Sequence, residues 1–185
     1  MMFRSVSSAV ALLSFLLLAA ATAASDPPGK APTEALGGRV IDLVFRVDDI
    51  GAHVQSLAVK ESRTEVHIDL ASDVLFDFDS ADLLPEARRA LATAAQIIRT
   101  QAHGQVRILG YTDSMGTPEY NLGLSDRRAQ SVRRWFVDKG GLSNVAFTTE
   151  GFGTKNPVAP NANPDGSDSP AGRRKNRRVE IIVTK

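Results

Sequence analysis

One mixed β-sheet with two main helices on a single face, preceded by a β-hairpin region, is the fold this sequence predicts: an α/β sandwich of the α+β kind. Three observations predict it. Stretches at 64–70, 106–110 and 178–184 alternate in the period of strands with one buried face. Two longer stretches carry apolar residues at helical spacing: Leu84, Ala87, Leu91, Ala94 and Ile98, then Leu122, Ser125, Ala129, Val132 and Phe136. The resulting order, β-α-β-α-β-loop-β, lets both helices pack on one side of one sheet.

The elements follow in order. Residues 1–8 carry one cation, Arg4, and an apolar run at 9–21 is interrupted only by Ser14. Ala21-Thr22-Ala23 then supplies small residues, so 1–23 reads as a secretory signal peptide cleaved after Ala23. The run falls short of the roughly 20 apolar residues of a spanning helix; an uncleaved anchor is the alternative. Residues 24–38 hold Pro27, Pro28, Gly29, Pro32, Gly37 and Gly38 and read as a flexible linker. Residues 39–71 form a strand and hairpin extension, with strands expected at 39–47, 53–60 and 64–70 and a turn at Glu61-Ser62-Arg63. The main domain is expected at 72–185. It opens on a strand at 74–78 with Phe76 and Phe78 on one face. Pro85 then sits near the start of the first helix, where a missing N–H costs little.

A strand from Val106 ends at Thr112-Asp113. Gly116-Thr117-Pro118 makes a turn, the second helix spans 119–138, and Gly140-Gly141 closes it. A strand at 145–151, a long surface loop at 153–172 and a last strand at 178–184 complete the chain.

Composition narrows the function. The 185 residues contain no cysteine, which excludes a lipid-modified N-terminal cysteine and a thiolate metal site. An exported domain without disulfides depends on its core, and the mature length is enough for one. The formal net charge is +1, so nothing global asks for nucleic acid. The basic run Arg173, Arg174, Lys175, Arg177 and Arg178 reads as a solvated, loop-anchoring segment; anionic wall polymer or lipid head groups are the other candidates. The three histidines are scattered without ligand spacing. Asp77 and Asp79 would share a strand face without further ligands in register, so no metal is expected there. No cofactor is called for.

The richest stretch is GYTDSMGTPEYNLGLSDRRA at 110–129. Asp113 lies at a strand end, a favoured ligand position in layered α/β folds. Asn121, Ser125 and Arg128 are spaced four and three apart on one side of the following helix. Asp113 can accept from an ammonium, and Arg128 can grip a carboxylate with two parallel hydrogen bonds. A zwitterionic ligand could therefore bridge them. On position alone, Asp113 could instead cap the turn, and Arg128 could pair with Glu119 or Asp126 in solvent.

Four ordered blocks, FDFDSADLLPEA, GYTDSMGTPEYNLGLSDRRAQSV, GFGTKNPVAPN and GRRKNRRVEI, resemble the OmpA-like peptidoglycan-binding domain family across roughly 73–183. The resemblance implies a non-catalytic module that holds the diaminopimelate of the cell-wall stem peptide and tethers the outer membrane to the wall. The family's Asp, Asn and Arg match Asp113, Asn121 and Arg128, and Phe78-Asp79 matches the pair lining the opposite wall. Thr112 and Leu124, in the same blocks, complete the expected binding set. Tyr111 departs from the family, where His is common. The implied location is the periplasm, associated with the outer membrane of a Gram-negative bacterium. Outer-membrane or envelope proteins are expected as further partners. A wall-acting hydrolase and a stator-type membrane anchor are the alternatives. The first needs zinc ligands or a nucleophile with a base, yet no HExxH or GxSxG occurs; the second usually needs an intramembrane carboxylate, which the apolar run lacks.

Overall fold

The computed structural model describes residues 57–185. The expected signal peptide, linker, strand at 39–47 and first residues of the next strand lie outside the described residues. Five strands form one mixed sheet in the order β1-β2-β5-β3-β4. They are β1 (Leu57–Glu61), β2 (Glu65–Ala71), β3 (Val106–Tyr111), β4 (Phe147–Gly153) and β5 (Arg178–Thr184). β3 and β4 run parallel; all other neighbours are antiparallel. β1 and β2 make the expected hairpin, with the Ser62 hydroxyl accepting from Glu65 N in the turn. β2 in turn pairs with β5 along its whole length, so the hairpin is built into the sheet.

Two long helices cover one face. α2 (Ala87–Gln101) packs on β2 and β5, and α3 (Pro118–Asp138) on β3 and β4. One core joins Leu91, Ala94 and Ile98 of α2 and Ala129, Val132 and Phe136 of α3 to Ile68, Ile108 and Ile181 of the sheet. Pro118 takes the first turn of α3, where its missing N–H is harmless, and the Thr117 hydroxyl caps it by accepting from Tyr120 N at 3.2 Å. Gly110 lets α3 approach closely: a Cβ there would meet the Ser125 carbonyl oxygen at 2.1 Å. Among the described residues, no helix is long and apolar enough to cross a membrane.

Three expectations are corrected. The stretch at 74–78 is not a strand. Residues Ser72–Leu75 form a short helix, α1, closed by Phe76 N donating to Ser72 O, and Phe76 makes only an isolated bridge with Leu83. Leu75 and Phe76 are both buried while Phe78 is 95% exposed. Two successive buried residues do not alternate, and β5 already takes the sheet position beside β2. Asp77 and Asp79 therefore share no strand face either; Asp79 has φ +58° in a turn.

Leu122 is not part of the buried stripe of α3 but 47% exposed. β4 presents Gly151 and Gly153 beneath that turn, so the sheet offers Leu122 no side chain to pack on. Leu124 is buried instead. Finally, the loop after β4 stops at Ser169, whose hydroxyl caps a fourth helix, α4 (Pro170–Asn176).

Candidate functional site

The ends of β2, β3 and β5 meet at one rim of the sheet. Ala71 and Tyr111 pair with Arg178 from opposite sides, so Ser72 and Thr112, one residue further on, flank Arg177. The start of α3 and the turn at 77–82 close the other sides. Together they enclose a cavity of about 600 Å³, within the usual range for small-ligand sites.

Every expected binding residue lines this cavity: Phe78, Asp79, Thr112, Asp113, Asn121, Leu124 and Arg128. They play different parts. Asp113 is 7% exposed and Arg128 5%. One Asp113 oxygen accepts from Met115 N at 3.0 Å, the local turn bond expected of an Asp there. The Asn121 amide donates to Met115 O at 2.7 Å, bracing the same turn. Leu124 contributes apolar wall. Phe78 stands at the rim, its N–H donating to the Asp77 carboxylate at 2.7 Å. Asp79 accepts from the Tyr120 hydroxyl, which ties this turn to the first turn of α3.

Arg128 lies with its guanidinium carbon 5.1 Å from the Phe76 ring centre, and its Nε donates to Ser80 O at 2.8 Å. Among the described residues no carboxylate is within ion-pair distance of it, so the expected alternative pairing with Glu119 or Asp126 does not occur. Burial, then the nearby Arg177 charge, pull the Arg128 pKa below the ordinary guanidinium value.

The basic run departs most from expectation. Arg174 and Lys175 are exposed and Arg173 anchors the loop through Asp168, as expected, but Arg173, Arg174 and Arg177 also supply one side of the cavity. Arg177 Nη1 donates to Asp113 Oδ2 at 2.8 Å, while its Nε and Nη2 each donate to Asp73 at 3.0 Å. Hydrogen bonding to Asp73, and then to Asp113, raises the Arg177 pKa further above its ordinary value. Arg173 grips Asp168 through two nitrogens and approaches Asp113 Oδ2 at 3.8 Å. Arg174 reaches Asp73 at 3.6 Å. Arg178 turns to the opposite sheet face, over the Tyr111 ring at 3.8 Å, and pairs with Glu180 at 2.7 Å. The cavity lining thus holds four carboxylates (Asp73, Asp77, Asp79, Asp113) and four guanidiniums (Arg128, Arg173, Arg174, Arg177). Such a balanced lining suits a ligand that carries both signs.

Asn176 escaped the sequence reading. It is 1% exposed; its Oδ1 accepts from Val158 N and Ala159 N, and its Nδ2 donates to Ala159 O and Asn161 Oδ1. It pins the loop after β4 and so fixes where α4 and its arginines stand. Among the described residues, no group of three His, Cys, Asp or Glu side chains could hold a metal ion.

Residues 75–170 match the OmpA family, more than half of the chain. The chain belongs to the OmpA family. This OmpA-family chain is 44% identical over 112 residues to outer membrane protein A of Bordetella avium, covering 60% of this chain and 54% of that protein. It is 31% identical over 128 residues to the probable lipoprotein YiaD of Escherichia coli, 69% of this chain and 55% of that one. The chain spans 13% to 55% of the length of the first curated relatives it matches. Among solved structures, it is similar to the cell wall anchor of the T6SS from Pseudomonas aeruginosa, with TM-score 0.60 and 34% identity over 70% of this chain and 88% of that one.

Proposed function

We propose that this OmpA-family protein binds peptidoglycan without covalent chemistry and tethers a Gram-negative envelope to its wall. Three of the similar proteins support the coarse reading: they are named outer membrane protein A, a probable lipoprotein and a cell wall anchor. The cavity supports the finer one. In this reading it holds the free end of diaminopimelate, an amino-acid terminus with one ammonium and one carboxylate. The ligand carboxylate meets Arg128 through paired hydrogen bonds and the ammonium meets Asp113. The diaminopimelate arm then runs past Leu124 and Phe78 to the rest of the stem peptide.

One observation carries this reading. Arg128 is 5% exposed and has no carboxylate partner among the described residues, yet it faces the same cavity as Asp113. A buried, unpaired cation is costly, and an anionic ligand offsets that cost.

The test is co-sedimentation with purified sacculi. Arg128→Ala should abolish it while the circular dichroism of the fold survives. Truncating one member of a desolvated charge pair costs about 2–5 kcal/mol, a loss of thirtyfold or more. Undiminished co-sedimentation would reject the proposal.

A further inference from the structure

The turn at 77–82 walls the cavity with little packing behind it. Its ends are tied: Leu84 N donates to Leu75 O at 2.9 Å, and Phe76 bridges Leu83. Between those ends Asp77, Phe78 and Asp79 are all exposed, so the core does not hold the tip. Asp79 also has φ +58°, a left-handed conformation that a non-glycine residue keeps where surrounding contacts hold it.

Two bonds reach the tip from α3. The Tyr120 hydroxyl donates to the Asp79 carboxylate, and Arg128 Nε donates to Ser80 O at 2.8 Å. Tyr120, Leu124 and Arg128 follow one another at four-residue steps on one helix face, and all three line the cavity. Tyr120 is itself placed by the cap of α3, its N–H donating to the Thr117 hydroxyl. Asp79 and Ser80 are adjacent, so a bond that holds the first also holds the second. Ser80 O in turn sets the plane of the Arg128 guanidinium. A planar guanidinium grips a carboxylate with two bonds only when its fork is correctly turned.

We propose that Tyr120 is a positioning residue: its bond to Asp79 latches the 77–82 turn to α3 and, through Ser80 O, fixes the Arg128 guanidinium before ligand arrives. This rests on the diaminopimelate reading above. Asp79 serves as the acceptor of the latch rather than as a charge that meets the ligand. Preorganisation of this kind raises affinity by removing ordering that binding would otherwise require.

Two variants of the full chain test it, read by titration calorimetry and by NMR exchange of the Arg128 Nε proton with solvent. The calorimetric probe is the tripeptide L-Ala-γ-D-Glu-meso-diaminopimelate. Tyr120→Phe keeps the ring and deletes the hydroxyl. It should speed exchange of the Arg128 Nε proton and weaken the probe about fivefold, the scale of one net hydrogen bond, while the circular dichroism of the fold survives. Asp79→Asn keeps an oxygen that accepts from Tyr120, so its exchange rate and affinity should stay within about twofold of the parent. Unchanged exchange in Tyr120→Phe, unchanged affinity in that variant, or an Asp79→Asn loss as large as that of Tyr120→Phe would each overturn the assignment. Failure of the parent protein to bind the probe would instead reject the functional reading beneath it, and the exchange rates would still decide whether the latch holds Arg128.

Discussion

Asp113→Asn isolates the charge that joins the cavity to the basic helix. The substitution keeps shape and leaves an amide oxygen to accept from Met115 N. It removes the negative charge that Arg177 Nη1 meets at 2.8 Å and Arg173 at 3.8 Å. Breaking a fully buried pair costs about 3–5 kcal/mol. Here the loss is smaller, because the Arg177 side chain is 27% exposed and keeps both of its bonds to Asp73. About 2 kcal/mol is the resulting expectation, and it should lower the urea midpoint by about 1–2 M. Under the proposed function the same carboxylate receives the ligand's ammonium, so affinity for the diaminopimelate tripeptide should fall about thirtyfold, the equivalent of ~2 kcal/mol. Because the pair is partly buried, raising salt to 0.5 M should shrink the stability difference only slightly. An unchanged urea midpoint would refute the claim that Asp113 is held by Arg177 before ligand arrives.

Two further predictions concern the sheet. Asp69 sits directly across from Glu180, and burial, then that neighbouring charge, raise its pKa above the ordinary 3.8. A raised carboxyl pKa means stability that is present below the ordinary value and lost as pH climbs through the folded-state value. At neutral pH Asp69 is therefore a cost, and Asp69→Asn should stabilise by about 0.2–1 kcal/mol, the range for like charges facing across strands. The gain should shrink as urea denaturation is repeated at pH 4; a destabilised variant at pH 7 would contradict the assignment. Gly110→Ala would push a Cβ to 2.1 Å from the Ser125 carbonyl oxygen, so α3 must lift from β3. A loss of about 3 kcal/mol in urea denaturation is expected, and a neutral effect would show that the helix does not lie so close.

How much of this was legible in the sequence depends on the range of the forces involved. Alternation at 64–70 and 178–184 gave β2 and β5, because a sheet with one covered face imprints a period of two on each strand by itself. The helical stripe gave α3, apart from Leu122, whose exposure depends on glycines of a strand nearly thirty residues away. Asp113, Asn121 and Arg128 were visible because they sit in a compact, ordered block. Residues 74–78 misled: VLFDF reads as a strand, and only the occupied position beside β2 turns it into a helical turn and a bridge. The arginines of α4 misled for a different reason. Asp73 and Arg177 are 104 residues apart, and local spacing carries no record of such a pairing. A run of basic residues looks the same whether it faces solvent or a cavity.

A crystal structure of the protein soaked with meso-diaminopimelate bears most directly on the central claim. One amino-acid terminus should lie in the cavity, with its nitrogen within about 3 Å of the Asp113 carboxylate and its carboxylate within about 3 Å of the Arg128 guanidinium. A ligand bound outside this cavity, or one touching only one of those two side chains, would contradict it.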